Sequence, residues 1–169
     1  LTEILHFEDL SVGQLWRSPD RVITAADVGA FAMLTGDHTP LHDTSQLQSS
    51  VDCPFGRPVV HGLLGLSILA GLSSEYPKVK TLALIGLGDF EFLKPIYFDE
   101  VVFAETEVVA LAPYGRRAGR VTWLRRLVGQ RMQVFQQGTL DTLVAAKNLL
   151  PRSGDANHQH DGIKATLSR

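Results

Sequence analysis

Apolar positions along this chain follow two different periods, and the switch between them divides it. Near the start, Val28, Phe31 and Ala32 recur at helical spacing behind Thr24-Ala25-Ala26-Asp27, where a hydroxyl and an acid three residues apart form a short-chain relative of the capping box. The spacing predicts an amphipathic helix over about residues 25–35. Gly36 stands where helices commonly hand over to a left-handed residue, and Pro40 stops the pattern, so Gly36-Asp37-His38-Thr39-Pro40-Leu41-His42 reads as a loop just beyond a helix. A second bend occupies residues 54–60. His61 then opens a run whose larger apolar members are Leu63, Leu64, Leu66, Ile68, Leu69 and Leu72, closed by Pro77. This run has almost no polar face, so as a helix it must be surrounded by protein.

From Thr81 the period changes to two. Residues 81–93, 100–112, 119–128 and 132–147 are rich in Val, Leu, Thr and Phe and are separated by Pro, Gly and charged residues. In the second of them Val102, Ala104, Thr106 and Val108 alternate with Phe103, Glu105, Glu107 and Val109, the pattern of a strand with one wetter face. An early strand around residues 16–23 could complete a sheet of four or five mostly antiparallel strands. The fold class is α+β, with one long central helix enclosed by one strongly curved antiparallel sheet. Residues 1–150 form the single folded domain, and the polar residues 151–169 form a flexible C-terminal tail.

Size and composition agree with that division and narrow the partners. A chain of 169 residues, 44% hydrophobic and 20% charged, has room for one core and the composition to fill it. A formal charge of −2 supplies no positive field for a phosphate backbone, so nucleic acid is not an expected partner. The longest apolar stretch falls well short of the roughly 20 residues that cross a bilayer, so no membrane association is expected either. One cysteine, Cys53, and no leader-like start make a reducing cytoplasm the expected compartment.

Asp37 and His42 lie five residues apart in a loop stiffened by Pro40, close enough for a carboxylate and an imidazole to converge on one water. That pair suits addition or elimination of water; the plainer reading is an Asx-turn beside an ordinary loop histidine. At His61-Gly62 the first turn of the apolar helix turns unpaired N–H groups and the positive dipole end outward, and Gly62 lets an acceptor come close. A thioester oxygen could dock there, or His61 could simply cap the helix and Gly62 pack. Gly86-Leu87-Gly88 lacks the third glycine and helix start of a dinucleotide loop and reads as strand.

The blocks Phe31-Ala32-Met33-Leu34-Thr35-Gly36-Asp37-His38-Thr39-Pro40-Leu41-His42 and Phe55-Gly56-Arg57-Pro58-Val59-Val60-His61-Gly62-Leu63-Leu64 resemble, in order and interval, the MaoC-like dehydratase family and its (R)-specific enoyl-CoA hydratases. Phe90-Glu91-Phe92-Leu93-Lys94-Pro95-Ile96 extends the likeness more weakly, over roughly residues 8–150. The resemblance implies the hot-dog fold, a homodimer or higher homo-oligomer joined sheet edge to sheet edge, and an acyl-CoA thioester substrate with no metal or other cofactor. It implies reversible hydration of a trans-2-enoyl-CoA to an (R)-3-hydroxyacyl-CoA. Asp37 and His42 correspond to the dyad that activates water, and the Gly62 amide, with His61 beside it, to the group that polarises the thioester carbonyl. A thioesterase on the same fold and a noncatalytic acyl-thioester binding module are the rival expectations.

Thr39 stands where the family motif most often has asparagine, keeping a hydroxyl of shorter reach. His6, His38, His158 and His160 have no zinc-motif spacing. Arg57, Lys94, Arg116 and Arg117 are candidate contacts for coenzyme A phosphates but read individually as solvated surface.

Overall fold

Thr24 starts the first helix in the way its spacing predicts. Its hydroxyl accepts from the Asp27 N–H at 3.2 Å, while the Asp27 carboxylate takes the Thr24 N–H at 2.8 Å, so the box closes from both sides. Helix α1 (Ala25–Thr35) ends at Gly36, whose φ of 77° is left-handed and whose N–H reaches back to the Ala32 carbonyl. The computed structural model describes residues 4–43 and 54–149. Cys53, the expected tail at 151–169 and the histidines within it lie outside the described residues.

The strands are β1 (Leu15–Arg17), β2 (Arg21–Ile23), β3 (Thr81–Phe92), β4 (Glu100–Tyr114), β5 (Ala118–Gly129) and β6 (Val134–Ala145). Among the described residues they form one antiparallel sheet in the order β1-β4-β5-β6-β3, with β2 also paired to β4. The early segment is thus two short strands, not one. Pro19 has no N–H to offer a ladder, and the Ser18 hydroxyl instead takes the Ala104 N–H at 2.9 Å, so pairing breaks and resumes. The last strand starts later than the composition suggests, because Met132 has a φ of 61° and belongs to the turn. Register shifts recur along β3–β6 and once in β4–β5, and such bulges bend and twist a sheet.

Helix α2 (Gly62–Glu75) crosses this sheet against β4 and β5. Leu64, Ile68 and Leu69 press into a core with Val102, Ala104, Leu127 and Phe135, closed on the other side by Ile23 and Val28. Burying each such side chain is worth about 1.5–3 kcal/mol. A second cluster gathers around Trp123, which meets Trp16 edge to face at 6.3 Å. The expectation that α2 is enclosed on all sides is met on one side only: Leu63, Ser67 and Gly71, at helical spacing, face outward in the single chain. Leu82, Leu84, Ile85 and Leu87 of the edge strand β3 are exposed as well.

Candidate active site

The loop after α1 is held by side chain as much as by backbone. The Thr39 hydroxyl donates to Asp37 Oδ1 at 2.6 Å and the Thr39 N–H reaches the same oxygen at 3.2 Å. These two bonds hold the Asp37 carboxyl below its ordinary range, with the nearby imidazoles of His61 and His42 adding to the effect, so it is ionised at neutral pH. Oδ2 makes no hydrogen bond among the described residues and lies 3.9 Å from His61 Nε2. The threonine that stands in the asparagine position therefore braces the carboxylate directly.

Pro40–His42 turns as one short 3-10 segment and carries His42 inward. Its Nδ1 lies 2.7 Å from the Val59 carbonyl oxygen. A carbonyl can only accept, so Nδ1 carries the hydrogen and Nε2 keeps the lone pair, the tautomer a general base requires. One backbone bond, Val59 N–H to the Leu41 carbonyl at 3.0 Å, brings the segment before His61 to the Asp37 loop, and a second, Val60 N–H to the Ile96 carbonyl at 2.8 Å, ties it to the chain after β3.

His61, the residue before α2, is 2% exposed and spans the two segments. Its Nε2 donates to the Asp37 carbonyl oxygen at 3.1 Å, and its ring stacks on that of His42 with centroids 3.8 Å apart. Burial pushes its pKa down, against the opposing pull of the Asp37 carbonyl, which keeps the imidazole neutral and able to hold that bond. Asp37, His42 and His61 bring one donor atom each within 4.8 Å of one another. Two imidazoles and a carboxylate can hold a divalent cation, but here the fit is poor. The in-plane lone pairs of rings stacked face to face do not meet at one point about 2.0–2.1 Å from each nitrogen.

Gly62 is the first residue of α2, where an N–H has no acceptor within the helix. A Cβ at this position would lie 2.9 Å from the Phe92 ring, so only glycine keeps the approach open without moving that ring. Its carbonyl is fixed from the far side: Gln136, 2% exposed on β6, donates Nε2 to the Gly62 oxygen at 3.0 Å. Gln136 was not anticipated from the sequence. Its one signal there is a polar residue at an inward position of a strand, which the composition of β6 hides.

Beside the dyad a cavity of about 310 Å³ is lined by Val28, Ala32 and Met33 of α1 and by Asp37, Thr39 and His42. That is the low end of the usual range for small-ligand pockets, about 300–1,000 Å³. One wall is apolar and the other holds the ionised acid and the imidazole. Among the other sequence candidates, Arg57 packs its guanidinium over the Tyr97 ring at 3.8 Å.

A curved sheet around a central helix, with an acid and an imidazole gathered at the helix start, defines the class. The fold is the hot-dog fold: a solved Mycobacterium tuberculosis protein with a double hot-dog fold superposes with a TM-score of 0.74, at 18% identity, over 88% of this chain and 46% of that one. Residues 10–123 match the model of the MaoC like domain, and the chain belongs to the MaoC-like dehydratase family. An (R)-specific enoyl-CoA hydratase from Aeromonas caviae is 36% identical over 104 residues, covering 62% of this chain and 75% of that protein. A 3-hydroxybutyryl-CoA dehydratase from Methylorubrum extorquens is 31% identical over 116 residues, covering 68% of this chain and 71% of that protein. Among the described residues no helix is long and apolar enough to cross a membrane.

Proposed function

We propose that this protein adds water reversibly across the double bond of a trans-2-enoyl-CoA thioester, giving an (R)-3-hydroxyacyl-CoA. The observation that carries the reading is the pairing of Asp37, ionised and with Oδ2 uncommitted, with His42, whose Nε2 lone pair is left free by the Val59 carbonyl, on the wall of a cavity with an apolar opposite side.

In this reading Asp37 Oδ2 and His42 Nε2 hold one water between them. As the water oxygen bonds to C3 of the acyl chain, its proton passes to His42, and the electron pair of the C2–C3 double bond moves toward the thioester carbonyl. The Gly62 N–H donates to that oxygen as it becomes an enolate, with the positive end of α2 behind it. A donor of this kind is worth about 2.7–4 kcal/mol in the transition state. The proton then returns to C2, and the reverse sequence expels water. His61 takes no proton; it positions Asp37 through the carbonyl and His42 through the ring stack.

The same reading makes the working unit a homodimer joined through β3. Support comes from an edge strand whose Leu82, Leu84, Ile85 and Leu87 are left in water, and from the outward Leu63 of α2.

The test is incubation of the purified protein with enoyl-CoA and 3-hydroxyacyl-CoA thioesters of short, medium and branched chains, following alkene absorbance and free thiol together. Loss of alkene without thiol release is expected, and Asp37→Asn is expected to lower turnover by at least about 10²-fold while far-UV circular dichroism stays unchanged. Thiol release would favour hydrolysis instead. Binding without any reaction, indifferent to Asp37→Asn, would leave a binding module.

A further inference from the structure

The face of the sheet under α2 holds a charge that nothing in the dyad uses. Along β5, Val121, Trp123, Arg125 and Leu127 point the same way, into the core, and Arg125 is only 8% exposed. Among the described residues no carboxylate pairs with it, and its Nε is buried without a hydrogen-bond partner. Burial lowers its pKa to about 10, which still leaves it charged at neutral pH. The guanidinium carbon sits 5.8 Å from the Trp123 ring centre, a favourable ring contact.

Arg125 lines a second cavity, of about 240 Å³, between the C-terminal half of α2 and strands β3, β5 and β6. Ser73 enters from the helix, 1% exposed, and its hydroxyl too is buried without a partner. Two orphaned polar groups thus line one small space whose other walls, including Ala70, Pro77, Leu84 and Leu140, are mostly apolar, with the Ser74, Thr81 and Thr142 hydroxyls also on the lining. Orphaned buried polar atoms cost free energy, and a buried cation without a counter-charge costs more. A ligand that satisfied both would recover that cost on binding.

We infer that this cavity binds a carboxylate with a short apolar body, its two oxygens taking the Arg125 guanidinium and the Ser73 hydroxyl. The fork of a guanidinium matches a planar carboxylate. Phosphate fits less well. One cation cannot balance a dianion. The site is separate from the dyad: Ser73 is eleven residues along the helix from Gly62, about 16 Å at 1.5 Å per residue. The inference stands on the cavity and its unpaired cation in the single chain, not on the hydration chemistry; Leu84, one wall, also belongs to the proposed dimer seam.

The experiment titrates the full chain at pH 7.5 with butyrate, n-butanol and inorganic phosphate, reading heat of binding and tryptophan fluorescence. Saturable binding of butyrate alone is expected, weakened at least tenfold in Arg125→Met. Ser73→Ala, which keeps the cation, loses one hydrogen bond and is expected to weaken butyrate about threefold to tenfold. Without ligand, Arg125→Met is expected to melt no lower than the unsubstituted protein, because an unpaired buried charge has gone, and to lose the rise in Tm that butyrate gives. Should Arg125→Met fail to fold, Ser73→Ala carries the decision. Equal affinity for butyrate and butanol, no saturable butyrate binding, or butyrate binding unchanged in Arg125→Met and in Ser73→Ala overturns the assignment. Two sources of carboxylate are separated by enoyl thioesters of equal length ending in carboxylate or methyl. If Arg125→Met lowers kcat/KM only for the carboxylate-ended substrate, the acyl tail occupies the cavity. If both substrates turn over unchanged while butyrate binding is lost, the ligand is a free acid. Either result supports the site.

Discussion

Thr39 shows how much one side chain decides. It reaches Asp37 with both its hydroxyl and its N–H, and those bonds are the main reason the carboxyl stays ionised to lower pH than usual. Thr39→Val keeps the shape and removes the hydroxyl. Asp37 should then titrate closer to its ordinary value. In the proposed reaction the ionised form is the active one, so the acid limb of the kcat/KM profile is expected to move to higher pH. The freed carboxylate should also lose orientation, with kcat falling about tenfold. An unchanged acid limb in a pH–rate series would separate Thr39 from the dyad. The sequence anticipated half of this: the Asx-turn reading of Asp37 implies the bond from the Thr39 N–H, but which atom the Thr39 hydroxyl would hold is set by the φ and ψ of the loop.

Among the elements, α2 carries two jobs that pull on the same residues. Its inward face needs Leu64, Ile68 and Leu69 for the core, while its first turn must leave the Gly62 N–H open and its carbonyl pinned by Gln136. Gly62→Ala adds a methyl 2.9 Å from the Phe92 ring. Phe92 is half in solvent and can yield, so little loss of Tm is expected. In the proposed reaction the methyl stands where the thioester approaches, so KM is expected to rise and kcat to fall at least tenfold in steady-state kinetics. Helix boundaries were legible in the sequence because caps are local chemistry: Thr24 with Asp27 at one end of α1, Gly36 at the other. The division of 16–23 into two strands was not read there, although Pro19 was in plain view. Whether a proline interrupts a strand depends on which neighbour would have needed its N–H, and that neighbour, β4, lies some eighty residues away.

For the molecule as a whole, the proposed homodimer turns on the exposed edge of β3. β3 pairs with β6 on one side and leaves four large apolar residues in water, which a homodimer would cover. Charging two of them, Ile85→Lys with Leu87→Lys, places cations along the edge without touching the core. Light scattering after size-exclusion chromatography is expected to find a monomer where the unsubstituted chain gives a dimer. A dimer persisting in the double variant would move the interface elsewhere.

By itself the amino-acid order determined what depends on near neighbours: the caps, the two hydrophobic periods, one long apolar helix, and the intervals that place the chain beside known hydratases. Tertiary structure alone decided how Asp37 and His61, twenty-four residues apart, come to share a hydrogen bond, because the backbone bond from Val59 to Leu41 draws their two segments together. It also decided that Gln136 would fix Gly62 and that Arg125 would face inward beside Ser73. A strand's alternation says that residues take opposite faces. Which face becomes the interior is settled only when the sheet closes over its helix.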